Sequence, residues 1–157
     1  MRLGPIALNE LARDVLLSYL PQADAAGVDL GGEGLDEPVT VQADAALLEG
    51  LLGNLLDNAL RYGKSARPRV TVSIARLAGA TVLSVTDNGP GLSELERAQL
   101  RQRWIQGAAG QQLGQGAGLG LAIVSRYAEL LGARFALEAA PGEPGLCASV
   151  AFAQALS

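Results

Sequence analysis

The sequence predicts a two-layer α+β sandwich in which a mixed, mostly antiparallel sheet packs on about three helices. Three observations carry this. Apolar residues recur at helical spacing in three separated segments, about 9–26, 45–62 and 118–131. Elsewhere they alternate in short stretches, mostly joined in pairs by tight turns, the pattern of antiparallel strands with one buried face. Finally, 157 residues, 49% of them hydrophobic, suffice for one core but hardly for two, since a chain of this size buries roughly 70% of its unfolded surface. Residues 1–157 are therefore read as a single domain.

Each element has its own justification. Leu11, Val15, Leu16 and Leu20 define the first helix, with Asn9 as its expected N-cap, Pro21 as a possible kink and Gly27 as its end. Short extended pieces are expected near 28–30 and 38–42, and Asp44 caps the second helix. Val70, Val72 and Ile74 alternate, as do Leu83 and Val85, with Ala78-Gly79 between the two runs, which predicts a hairpin. Ser93 to Glu96 reads as a capping box opening a short helix. Residues from about 98 to 117 are polar and rich in Gln and Gly, the composition of a lid or a disordered stretch. A third helix ends at Gly132, and strands at 133–139 and 146–152 flank a Pro/Gly turn.

Composition excludes several classes of function. Twelve basic against sixteen acidic residues leave a net charge of −4, the opposite of the basic footprint that holds a phosphate backbone, so no nucleic-acid partner is expected. One cysteine, Cys147, cannot form an internal disulfide. With no histidine, Cys/His zinc sites and Ser-His or Cys-His catalytic pairs are excluded. No apolar run approaches the roughly 20 residues that span a bilayer. The expectation is a soluble, intracellular, mildly acidic domain.

The second helix carries the most information. With Leu47 set at 0° on a helical wheel, Leu51, Leu55, Leu52, Leu56 and Leu60 form the buried arc, yet Asn58 falls at about 20° and Asn54 at about 340°, on its border. An amide there costs about 1–3 kcal/mol unless it is hydrogen-bonded. One such asparagine is readily explained by a bond to nearby backbone. Asn54 and Asn58 at i and i+4, with Arg61 a turn beyond, form a polar stripe of two carbonyl oxygens and a guanidinium. That set suits a hydrated Mg²⁺ carrying phosphates.

Two glycine clusters follow. Asp87-Asn88-Gly89-Pro90-Gly91 ends a strand. It reads either as an ordinary turn or as a pocket in which Asp87 accepts a hydrogen bond from an exocyclic amine while Gly89 and Gly91 admit a planar ring. Gly114-Gln115-Gly116-Ala117-Gly118-Leu119-Gly120-Leu121 opens a helix, leaving N–H groups free to face an anion. A dinucleotide fingerprint would need a strand just before the glycines, and a phosphate-binding P-loop would need Gly-x-x-x-x-Gly-Lys-Ser/Thr; this cluster has neither, and Gly63-Lys64-Ser65 elsewhere lacks the first glycine of that pattern. A flexible linker would explain the glycines but not the apolar helix that follows at once.

In order, these segments resemble the N, G1 and G2 boxes of the GHKL ATP-binding superfamily, and within it the catalytic domain of sensor histidine kinases. Asn54 to Tyr62 is similar to the N box, Asp87 to Gly91 to G1, and Gly116 to Val124 to G2. The resemblance runs from about residue 5 to 153. It implies binding of ATP with Mg²⁺ and transfer of the γ-phosphoryl group to a histidine. Asn58 would be the Mg²⁺ ligand, Asn54 a polar group near metal and phosphates, and Arg61 a phosphate contact. Tyr62 would lie beside the nucleotide, and Asp87 would read the adenine amine. Gly89 and Gly91 would shape the base pocket, and Gly116, Gly118, Leu119 and Gly120 would offer the phosphate-side backbone. Leu92, Leu121 and Arg103 would also be ATP-binding, with about residues 92–115 forming the lid.

Where the superfamily's ATP hydrolases carry a glutamate able to act as general base, this chain has Asn54, which favours a kinase. Three departures from the kinase pattern stand out. Leu100 to Ile105, with Arg103-Trp104, replaces the usual phenylalanine box, and Ala117 stands where a small hydroxyl residue is frequent. There is also no histidine to accept the phosphoryl group, which implies that the histidine-bearing dimerisation domain lies outside this chain. A response regulator would be the next partner, the isolated domain is expected to be a monomer, and its place is the cytoplasm, including the cytoplasmic part of a membrane sensor. Two other readings stay open: a nucleotide-binding regulatory module without catalysis, and an anti-sigma-factor type of serine kinase.

Overall fold

A computed structural model describes residues 1–62, 66–89, 117–140 and 145–153, together with Leu95 and Ala98. In chain order these form β1 (Gly4–Ala7), α1 (Leu8–Ala25), β2 (Asp29–Glu33), β3 (Thr40–Ala43), α2 (Ala45–Tyr62), β4 (Arg69–Leu77), β5 (Ala80–Asp87), α3 (Ala117–Leu130), β6 (Arg134–Ala139) and β7 (Leu146–Ala153). Five strands make one sheet in the order β2-β4-β5-β7-β6, and β1 pairs with β3 in a separate ribbon. Within the large sheet only β2–β4 is parallel; the remaining pairings are antiparallel. The sandwich is α+β, as predicted.

One face of the sheet presents Val70, Val72, Leu83, Val85, Ala148 and Val150, all buried, to the helices. From the helical side come Leu8, Ala12 and Leu16 of α1, Leu48, Leu51, Leu52, Leu55 and Leu56 of α2, and Leu121, Val124 and Ala128 of α3. This is the leucine arc expected of α2, filled with branched aliphatic side chains because so few aromatics are available. α2 packs on α1 and α3. It begins as predicted: the Asp44 carboxylate accepts from Leu47 N at 3.0 Å, satisfying one of the helix's orphan donors. Gly132 closes α3 in the left-handed region at φ 70, with Ala133 N bonded to Ala128 O and Gly132 N to Glu129 O.

Two expectations at the N-terminal end are corrected. Asn9 does not cap α1. The helix starts one residue earlier, Ala7 takes the cap position without a side-chain bond, and Asn9 lies in the first turn. Its buried Oδ1 instead accepts from Val39 N at 3.1 Å, tying α1 to the approach to β3. The sequence also gave no warning of β1, whose residues pair with β3 from Gly4↔Ala43 to Ala7↔Thr40. α1 continues through Pro21 to Ala25. The capping box at 93–96, the lid and the Pro/Gly turn at 141–144 lie outside the described residues, apart from Leu95 and Ala98, which are helical.

Candidate functional site

The sheet register decides where the polar residues meet. β5 ends at Asp87, directly opposite Val70 at the start of β4. α2 therefore runs toward this end of the sheet, because its last residue, Tyr62, is followed by β4 at Arg69. α3 runs the other way. It leads into the beginning of β6, where Arg134 pairs with Ala151 far from the Asp87 end. A tyrosine contact supports this antiparallel arrangement, since Tyr127, late in α3, lies against Gly50, early in α2. The C-terminal half of α2, the end of β5 and the first turn of α3 thus gather at one end of the sandwich. Every described candidate residue comes from one of these three places.

Asp87 is the most unusual of them. Strand alternation turns its side chain to the same face as Leu83 and Val85, so a carboxyl occupies a core position and is only 8% exposed. Burial raises its pKa above the ordinary carboxyl value, opposed by hydrogen bonds from the backbone of Gly89 and Leu146. Gly89 N donates to its Oδ1 at 2.9 Å, so the turn that follows β5 folds around the carboxyl group. The neighbouring Asn88 stitches that turn to the segment ahead of β4. Its Oδ1 accepts from Arg69 N at 2.8 Å and its Nδ2 donates to Arg67 O at 2.9 Å. Its own N–H donates to Arg69 O at 3.2 Å.

On α2, Asn54 and Asn58 are both half-buried and Arg61 is exposed, as their place on the border of the arc requires. The Asn54 Nδ2 donates to Gly50 O at 2.7 Å, one helical turn back. The backbone-tied alternative therefore holds for this amide's nitrogen, and the bond leaves its carbonyl oxygen as the group offered outward. Asn58 has no hydrogen-bond partner among the described residues. Both oxygens are hard donors of the kind that Mg²⁺ or its hydration shell accepts.

The remaining predicted residues take less specific places. Gly118, Leu119 and Gly120 belong to the first turn of α3 by backbone, and Leu121 is fully buried in the core. Burial keeps the Leu121 side chain among core residues, so any contribution to a ligand comes through its backbone. Tyr62 is the last residue of α2. Gly91, Leu92, Arg103 and Gly116 lie outside the described residues, as does Trp104.

Sequence reasoning missed the residues that hold α2 in place. The Tyr19 hydroxyl of α1 donates to Gly53 O at 3.1 Å, and Tyr127 of α3 packs on Gly50. The available signal was Gly50-x-x-Gly53 inside a strong helix, where each glycine costs about 1 kcal/mol relative to alanine and so needs a packing reason.

With fold and site in view, the chain can be placed by comparison. It belongs to the family of histidine kinase-, DNA gyrase B- and HSP90-like ATPases, whose family model matches residues 43–154. Within that family it is an ATP-binding domain of the sensor histidine kinase type. It is 37% identical over 126 residues to the sensor protein kinase PmrB of Pseudomonas aeruginosa, a match covering 80% of this chain and 26% of that protein. It is also 37% identical over 120 residues to the swarming motility regulation sensor protein RssA of Serratia marcescens, covering 76% of this chain and 25% of that one. The chain thus spans about a quarter of the length of these curated relatives. Among solved structures, the catalytic domain of histidine kinase ThkA superposes with a TM-score of 0.80 at 21% identity, over 98% of both chains. Full-length ShkA, solved in complex with AMPPNP, superposes with a TM-score of 0.77 at 28% identity, over 100% of this chain and 32% of that one.

Proposed function

We propose that the chain binds ATP with Mg²⁺ at the Asp87 end of the sandwich and transfers the γ-phosphoryl group to a histidine on a separate dimerisation domain. The observation that carries this is a buried, backbone-braced carboxyl at the sheet end where the amide stripe of α2 emerges. Asp87 offers an acceptor in a largely desolvated place, which suits the exocyclic amine of adenine better than it suits water. Asn58 would hold the metal, with the Asn54 carbonyl and Arg61 directed to its water shell and to the phosphates. Bound Mg²⁺ would supply neutralisation of the triphosphate charge.

The protein's own part is then positioning. Asp87 fixes the base and Arg61 draws the phosphates toward α2. The first turn of α3, with its N–H groups at the same end of the fold, faces anionic oxygens favourably. In the transfer, the bond between the γ-phosphorus and its bridging oxygen breaks and a P–N bond to the imidazole forms. ADP leaves and the imidazole loses its proton to solvent. Asn54 cannot act as a general base for water, so hydrolysis gains nothing from that position. The partners that follow from this reading are the histidine-bearing domain and then a response regulator, in the cytoplasm. Among the described residues no helix is long and apolar enough to cross a membrane.

Calorimetric titration with ATP, with and without Mg²⁺, combined with transfer of labelled γ-phosphate to the purified histidine-bearing domain of the parent protein, tests the proposal. Binding strengthened by Mg²⁺ and acid-labile label on that domain are expected. Absence of binding, or binding without transfer, overturns it.

A further inference from the structure

The turn of α2 that presents the asparagines is held from behind by one residue of another helix. Gly53 and Asp57 stand at i and i+4, as do Asn54 and Asn58, so the two pairs form parallel stripes offset by one residue, about 100° around the helix. Tyr19 of α1 faces this first stripe. Its hydroxyl donates to Gly53 O at 3.1 Å. The Asp57 carboxylate lies beside the same hydroxyl and, after burial, contributes to raising its pKa to about 12. Gly53 leaves room for this contact: a Cβ there would come 3.1 Å from the phenolic oxygen, so the hydroxyl would have to give by a few tenths of an ångström. The Tyr19 ring packs partly buried against the core, and its hydroxyl reaches across to α2's backbone.

We infer that Tyr19 is a positioning residue for Mg²⁺–nucleotide binding: by pinning the Gly53–Asp57 turn it sets the rotation at which α2 presents Asn54 and Asn58. The inference rests on the proposed reading of those asparagines and deepens it. A rotation of α2 by a few degrees carries a side-chain oxygen on its surface by a few tenths of an ångström. A hydrated Mg²⁺ ion, with its near-ideal octahedron, tolerates that poorly. The base end of the pocket, built by β5 and its turn, does not depend on this contact.

The two ends can therefore be separated by measurement. Tyr19→Phe removes the hydroxyl and keeps the ring; Gly53→Ala crowds it. Calorimetry with ADP or AMPPNP, with and without Mg²⁺, is compared for wild type, each variant and the pair. Metal-free affinity should stay within about twofold of wild type, while the Mg²⁺-dependent gain in affinity should fall about three- to tenfold, the usual weight of one hydrogen bond. The double variant should be no worse than the poorer single one, because both act on the same contact. An unchanged Mg²⁺-dependent gain in Tyr19→Phe overturns the inference, and so does a parallel loss of metal-free and Mg²⁺-bound affinity, the sign of a purely structural role. If the wild type shows no Mg²⁺-dependent gain at all, the reading of Asn54 and Asn58 fails first and this inference falls with it.

Discussion

The backbone of Gly145 lies directly against the carbonyl oxygen of Asp87. A Cβ placed on Gly145 would overlap that oxygen, and the residue sits at φ 144, where side chains other than hydrogen are strained. Gly145 stands one residue before β7, the strand beside β5. Its lack of a side chain thus lets the end of the sheet close over the buried carboxyl. Gly145→Ala should destabilise the fold by about 1–3 kcal/mol from backbone strain alone. It should also weaken adenine-nucleotide binding more than an equally destabilising change at the far end of the sheet. Urea unfolding and nucleotide titration on the same preparations check both.

Asp87 makes a prediction with a pH signature. Burial raises its carboxyl pKa, so the folded chain holds that proton more tightly than the unfolded chain does. Its contribution to stability is therefore fully present below the unfolded value and is lost as pH rises through the folded value. Asp87→Asn does not titrate. The stability of wild type relative to this variant should accordingly increase as the pH is lowered from neutrality into the carboxyl range, measured by denaturant unfolding at matched pH. At neutral pH the same variant should bind adenine nucleotides about tenfold or more weakly, since a buried acceptor is replaced in part by a donor.

Asn58 is half-buried with no hydrogen-bond partner among the described residues, so little folding energy depends on it. Asn58→Ala should change stability by no more than about 0.5 kcal/mol. Phosphotransfer to the histidine-bearing domain should nonetheless fall about a hundredfold or more, as expected when a charge-stabilising group is lost. Retained transfer with unchanged Mg²⁺ dependence would remove its metal role.

A fourth prediction lies at the opposite end of the sheet. The β4–β5 hairpin turns through Ala78 and Gly79, both at positive φ, 42 and 81 respectively. This is the geometry of the two-residue turn that matches strand twist, and alanine is a poor occupant of its first position. Ala78→Asn should stabilise the domain by about 1 kcal/mol and leave nucleotide binding untouched, read by thermal unfolding and titration.

The parts of this fold that were legible in the sequence are those fixed by local pattern. α2 has the expected limits because Asp44, the leucine arc and the chain beyond Tyr62 all signal locally. The β4–β5 hairpin was equally plain, since Val70, Val72 and Ile74 alternate against Leu83 and Val85 across a two-residue turn. What escaped was decided at long range. Asn9 looks like a cap, but a donor on Val39, thirty residues away, claims its oxygen. β1 carries the sequence Gly-Pro-Ile-Ala, which has no strand signal of its own and is extended only because β3 supplies the partner. At the site, Asp87 and the asparagines were marked by polar residues in apolar places. The supports Tyr19, Tyr127 and Gly145 were not, because an aromatic residue at helical spacing or a glycine in a turn looks the same whether or not a polar helix leans on it.

The double clasp of Asn88 has a mechanical meaning. One side chain links the turn behind Asp87 to the stretch of chain between α2 and β4, holding both Arg67 and Arg69 by their backbone. The entry to β4 therefore braces the turn behind Asp87, and a purine reading that carboxyl would meet a shape set at the sheet's own end.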